Sequence, residues 1–270
     1  ANEWKLMNED DTEAIIEEAR LTGAKGAGIT GGDPLARLDR TLKYIRLLKR
    51  RFGKNFHIHL YTLPELVNED SLARLHKAGL DELRLHPDLE NKKHWWKVEL
   101  ARELDWDVGV EIPAVPGMEK EISLLINYFK DHIGFLNLNE LEVSDNNAYE
   151  LIKRGFMTKN RTSYAVKGSQ ELAMKLMKKY ANEIKSIHYC TTTLKDRVQL
   201  ANMILLRSKK VKRKFDQVTR DGMLTRGALY LPELAPEAGY RKNLEKANKE
   251  KLSNKLDTIR KDLMKRHRIP

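Results

Sequence analysis

Four short segments of this chain alternate aliphatic and polar residues one by one: 57–62 (HIHLYT), 82–87 (ELRLHP), 108–113 (VGVEIP) and 136–141 (LNLNEL). A period of two is the signature of a strand whose faces meet different surroundings. Ile58, Leu60, Leu83, Leu85, Val108, Val110, Ile112, Leu136 and Leu138 fall on one side. His57, His59, Tyr61, Arg84, His86, Gly109, Glu111, Pro113, Asn137 and Asn139 fall on the other. Strands of a parallel sheet covered on both faces usually read as continuous Val, Ile and Leu, and these do not. The aliphatic side must face helices, so the polar side faces inward. Burying such groups unpaired would cost about 1–3 kcal/mol each. Repetition over successive strands therefore predicts a wet interior that holds a polar ligand; the alternative is a network that satisfies itself.

Helical periodicity separates these strands. Helices are predicted over 10–23, 39–53 (capped by Asp39), 68–79, 93–104, 119–132, 146–154 and 169–183. Strands are predicted over 24–32, 57–63, 80–87, 107–117, 135–143 and 184–191. Strand and helix in alternation imply a parallel sheet with helices outside. No Gly-rich dinucleotide fingerprint is present, so a barrel or part-barrel is favoured over a doubly wound sheet. The remainder reads differently: a helix over 193–209 with Thr193 as N-cap, a β-hairpin over 215–230 turning near Asp221 and Gly222, a Pro-bearing linker, and a long basic helix over 241–268. The expected division is a barrel over 1–192 and a basic helix–hairpin–helix extension over 193–270.

One strand ends abruptly, in residues 24–35, AKGAGITGGDPL. Gly31 and Gly32 leave the backbone bare where ligands of parallel α/β folds bind, at the C-terminal ends of strands. Asp33 adds a carboxylate and Pro34 stiffens the exit. Such a turn suits a cationic group such as an amine; it also suits a plain βα connection.

Composition narrows the setting. The chain is 41% hydrophobic and 33% charged, enough for a core inside a charged shell. No apolar run reaches membrane-spanning length and no signal peptide is visible, so no membrane is expected. Cys190 is the sole cysteine; a cytoplasmic location follows from that usage. Lys- and Glu-rich surfaces fit a thermophilic source. The net charge of +11 is uneven: residues 207–214 carry six basic side chains and no acid, and 241–270 carry eleven against four acids. That end suits a polyanion or nucleic acid, or is a solvated, salt-laced helix.

Taken together, the polar barrel strands and the GGDP turn resemble the radical SAM superfamily, and more closely an archaeal branch related to the pyruvate formate-lyase activating enzyme. The resemblance covers residues 1–190; HYCTTTLKDRVQLAN and FDQVTRDG nearer the C-terminus also look like that branch. It implies a partial TIM-type (β/α)6 barrel. Gly31, Gly32, Asp33 and Pro34 match the Gly-Gly-Glu-type motif that holds the amino group of S-adenosylmethionine (SAM). Asp replaces Glu and is shorter, so backbone carbonyls would carry more of the grip. Arg84, His86 and Glu111 fall where the superfamily contacts the ribose and the methionine carboxylate. Val115, in the loop 114–117, resembles the adenine-side loop. His57, His59, Tyr61, Asn137 and Asn139 are substrate-side or SAM-side candidates.

The CxxxCxxC motif of the superfamily is absent. Five strands precede residue 143 and a six-strand part-barrel needs one more, so the first strand and the cluster cysteines are expected before Ala1. No metal is assigned to the residues of this chain. The resemblance implies a [4Fe–4S] cluster with one open iron, an external electron donor, and a 5′-deoxyadenosyl radical that abstracts hydrogen from a small-molecule, protein or RNA substrate. Two other classes compete. A non-radical barrel lyase would use Glu111 as base with His59 or His86 as acid. An RNA-binding barrel protein would use the basic C-terminus. His57 and His59, two apart on one strand, could both reach a metal, although lumen histidines more often hydrogen-bond a ligand.

Overall fold

A computed structural model describes residues 11–235 and 237–267. Of these, residues up to Val211 form one compact unit and those from Lys212 another. In the first, a six-stranded sheet runs in the order β1 (Gly26–Ile29), β2 (His57–Thr62), β3 (Glu82–Leu85), β4 (Asp107–Ala114), β5 (Phe135–Glu140) and β6 (Ile187–Cys190). Every pairing is parallel. The sheet curves into a half-barrel, and the count of six is reached within the described residues, with β6 at the far side of β5.

Helix α1 (Thr12–Thr22) precedes β1, and α2 (Leu38–Phe52), α3 (Glu69–Ala78), α4 (Lys97–Arg102), α5 (Glu119–Phe129), α6 (Ala148–Lys153) and α7 (Ser169–Tyr180) fill the connections between strands. Their ends follow local rules. Asn68 and Ser71 form a capping box at α3, and Gly79 ends it in a left-handed conformation. Asp39 does not cap α2: that helix is preceded by a 3-10 turn at Pro34–Arg37, which Asp33 caps.

The aliphatic strand faces lie where the alternation puts them. Ile58, Leu60, Leu83, Leu85, Val110, Ile112 and Leu138 are fully buried in one cluster with Leu42 and Ile45 of α2, Leu75 of α3, Leu125 and Phe129 of α5, and Leu176 of α7. Each such side chain contributes about 1.5–3 kcal/mol relative to exposure. Asp81 ties the layers at the base of the sheet: it accepts from Lys49 Nζ of α2 at 2.6 Å and from the Ile58 amide at 2.6 Å. At the other end Glu140, 3% exposed, accepts from the Thr192 amide at 2.9 Å and pairs with Lys159, pinning the loop after α6 and the exit of β6.

The segment after β6 is not a simple α-helix. Leu194–Leu200 is π-helical and runs into α8 (Ala201–Val211). The residue that bonds its first turn is Thr191, whose Oγ1 accepts from the Leu194 amide at 3.0 Å; Thr193 does not cap. The helix packs on α1, with Arg207 Nε donating to Glu18 at 2.7 Å. The first compact unit runs to Val211 and so includes this helix.

In the second unit, β7 (Gln217–Val218) and β8 (Leu224–Thr225) form a short antiparallel hairpin around Gly222, φ +85°. Asp216 is buried there and pairs with Arg226 at 2.8 Å. The predicted long helix is two, α9 (Tyr240–Lys246) and α10 (Lys249–His267). Ala247 is extended between them, and the Asn248 side chain accepts from the Lys251 amide at 3.0 Å, restarting the helix. Neither helix buries a residue.

Gly109 lies on the inner face, where an added Cβ would sit 2.2 Å from the Phe135 ring. Gly109→Ala must therefore displace that ring from beneath Arg84, and is expected to destabilise the protein by about 1–3 kcal/mol. A urea unfolding midpoint that does not fall would show that the inner face is loosely packed.

Candidate functional site

The inner face of the sheet is organised around one carboxylate. Glu111 on β4 lies in register with Asn137 on β5. Asn137 Nδ2 donates to Glu111 Oε2 at 3.0 Å, and Asn139 Nδ2 donates to Oε1 at 2.8 Å. Arg84 Nη1 donates to Oε2 at 3.1 Å and to the Tyr61 hydroxyl at 2.8 Å. Its Nε donates to Glu82. The guanidinium also lies 5.2 Å from the Tyr61 ring centre and 5.8 Å from that of Phe135. Side-chain exposure is 20% for Arg84, 13% for Glu82 and 14% for Glu111. Adjacent parallel strands thus bring two carboxylates, one guanidinium and two amides into a single network.

This network lines a cavity of about 570 Å³. His59, Tyr61, Arg84, Glu111, Asn137 and Asn139 form its strand-borne wall. His188 and Cys190 of β6, with Lys195 and Gln199 of the π-helical stretch, complete it. The alternation rule, applied to IHYC, places His188 and Cys190 on the same face as Asn137 and Asn139; Lys195 and Gln199 had no such signal. Lys195 Nζ also pairs with Glu142 at 2.7 Å. Burial, aided by Arg84, lowers the His59 pKa to about 4. Burial and the neighbouring Glu111 raise that of Tyr61. Burial likewise pushes the Cys190 thiol up, which disfavours a free thiolate.

The diglycine turn stands apart from that cavity. Gly31 has φ +127°, a region that L side chains rarely adopt, and a Cβ at Gly31 or Gly32 would meet nothing within 4 Å. The backbone there is open to a ligand. The Asp33 carboxylate is already engaged: it accepts from the Leu35 amide at 2.8 Å, the Thr62 hydroxyl at 2.8 Å and the Leu63 amide at 2.8 Å. It clamps the exit of β1 to the end of β2. Gly31, Gly32, Asp33 and Pro34 line a second cavity of about 470 Å³, with Ile15 and Tyr44.

The remaining predicted residues separate. His86 Nδ1 lies 2.7 Å from the Glu111 backbone carbonyl, at the rim. Val115 is 7% exposed and packs with Leu141, Leu151 and Val166. His57, nearly half exposed at the start of β2, pairs with Glu82 at 3.3 Å.

The inner wall offers the donors and acceptors that a polar ligand such as SAM needs in one cavity, and the bare Gly31–Gly32 backbone offers carbonyls beside a second one. A [4Fe–4S] cluster does not fit them: it needs several thiolates, and the chain has one cysteine, Cys190.

Two outcomes are expected. Arg84→Met leaves Glu82 and Glu111 without their cation and should cost about 3–5 kcal/mol of stability, read by chemical denaturation; a loss below that range would mean the carboxylates find other partners. The His59 midpoint in an NMR titration of the metal-free protein should lie near 4. The folded protein then binds fewer protons than the unfolded chain between about pH 4 and 6.5. The stability from His59 is therefore complete above that window and falls as pH drops through it; a midpoint near the ordinary value would contradict the buried, neutral ring.

Residues 2–129 match the family model of the Radical SAM superfamily. A protein of Methanocaldococcus jannaschii named as a glycyl-radical enzyme activating enzyme is 45% identical over 226 residues, which cover 80% of this chain. The chain spans 60% of the length of that relative. Among solved structures, a chain of the tryptophan synthase α2β2 complex from Pyrococcus furiosus aligns with 74% of this chain and 91% of its own length, at 17% identity and a TM-score of 0.39. A mutant α-subunit of the same enzyme gives 75%, 92%, 16% and 0.37. Those two likenesses are too distant to argue from. The half-barrel, the superfamily match and the 45% identical relative agree: this chain belongs to the radical SAM superfamily.

Proposed function

We propose that this chain is the SAM-binding half-barrel of a radical SAM enzyme whose substrate is another protein, a glycyl-radical enzyme. The observation that carries the reading is the Glu111-centred cavity, an inward polar wall on a parallel sheet. The substrate class comes from the name of the relative. When bound and reductively cleaved, SAM supplies a carbon-centred radical that removes one hydrogen atom. An external donor would supply the electron, and the cluster thiolates are not among the residues of this chain. The organism of the relative, the charge-rich surface and the single cysteine support an archaeal, heat-adapted, cytoplasmic enzyme.

The residues divide the work by chemistry. Carbonyls of the Gly31–Gly32 turn accept from the amino group, since Asp33 is held by Thr62 and Leu63. Glu111 accepts from ligand hydroxyls, and Asn137 and Asn139 hold it in place and turn their own amides to the ligand. Arg84 offsets the charge of Glu111 and orients it. Lys195 and Gln199 complete the wall beside the strands, limiting water around a reactive species.

Calorimetric titration of the purified chain with SAM tests this. One equivalent should bind. Glu111→Gln should weaken binding by about ten- to hundredfold, the value of a hydrogen bond to a charged group. Absence of binding, or binding indifferent to Glu111, would contradict the proposal.

A further inference from the structure

At the N-terminal end of the sheet lies a cluster to which this reading assigns no role, although His59 also walls the cavity and Glu82 also holds Arg84. His57 and His59 project from the same face of β2, and Glu82 on β3 stands in register with His59. One donor atom from each, two imidazole nitrogens and a carboxylate oxygen, all lie within 4.8 Å of one another. His59 Nδ1 is buried and has no partner among the described residues. Gly28 is the β1 neighbour of His59, and a Cβ there would sit 2.5 Å from the ring, so the imidazole has its place only because that position is bare.

We propose that His57, His59 and Glu82 form a binding site for a divalent transition ion of the zinc class, with a water as fourth ligand. The donor set is two imidazoles and one carboxylate, which borderline ions such as Zn²⁺ favour over calcium or magnesium. The spacing agrees. His57 Nε2 and Glu82 Oε2 are 3.3 Å apart, and the edge of a tetrahedron built on bonds of about 2.0–2.1 Å is about 3.3–3.4 Å. The other carboxylate oxygen, Oε1, receives Arg84 Nε, the kind of outer hydrogen bond that orients a ligating carboxylate. Arg84 places a positive charge nearby, and Glu111 on its far side offsets it. The exposed edge of His57 leaves a path for the ion to enter. Bound there, the ion would join β2 to β3 at the base of the lumen, on the opposite end from the Gly31–Gly32 turn. The inference does not rest on SAM binding.

The test uses the full chain, stripped with a chelator and titrated with Zn²⁺ by calorimetry and with Co²⁺ by visible absorption. One equivalent should bind, with the strong bands of tetrahedral cobalt and a rise in Tm on adding Zn²⁺. His57→Asn, at a half-exposed position that should fold, and Glu82→Gln should each weaken binding at least about tenfold and remove the rise in Tm; His94→Ala, outside the cluster, should change neither. Failure of the chain to take up one equivalent, or unchanged affinity in His57→Asn and Glu82→Gln, would overturn the site. SAM titration of the same samples separates this result from the fate of the SAM proposal.

Discussion

A carboxylate set into the concave face of a sheet needs a cation and several donors, and meeting that need at Glu111 determines much of the inner wall. Arg84 comes from β3, and Asn137 and Asn139 from β5. Arg84 in turn requires Glu82 and Tyr61, and rests on Phe135, which has room because position 109 is glycine. Removing one member of such a network leaves a charge uncompensated, which costs more than the member's own bond. The network therefore couples the strands from β2 to β5 on the side that a ligand would occupy.

The outer face answers to a different constraint. Ile58, Leu83, Val110 and Leu138 are buried against the helices, and a one-residue slip of any strand would exchange them with the charged set. Register and polarity thus reinforce each other. They also give the half-barrel two chemically distinct ends: a bare glycine turn and a π-helical stretch at the strand C-termini, and an imidazole–carboxylate cluster at the N-termini. A π-helical stretch is uncommon and often marks a functional position; here it carries Lys195 and Gln199 to the cavity.

Much of this was legible in the residues. Alternation in HIHLYT, ELRLHP, VGVEIP and LNLNEL announced the faces, because strand geometry ties side-chain direction to parity. What parity does not carry is distance across the sheet or competition for a group. The Asp33 carboxylate reads as free for an amine, yet Thr62 and Leu63, about thirty positions on, take it up. His86 has the parity of Arg84 but turns to a backbone carbonyl at the rim. Val115 sits in a loop that resembles a ligand-side loop, and its side chain joins an apolar cluster. Lys195 follows β6 in a helix, where the period of two no longer applies. The break at Ala247 was hidden because Lys-rich periodicity continues through it, and only the Asn248 cap marks the restart.

The central claim is that the Glu111 face is where this chain meets SAM. Hydrogen–deuterium exchange of the purified chain, with and without saturating SAM, tests it most directly. The account predicts slowed exchange at the Gly31–Gly32 turn and in the peptides spanning β4 and β5, with α9 and α10 unchanged. Protection confined to the outer helices, or no protection in the sheet at all, would contradict it.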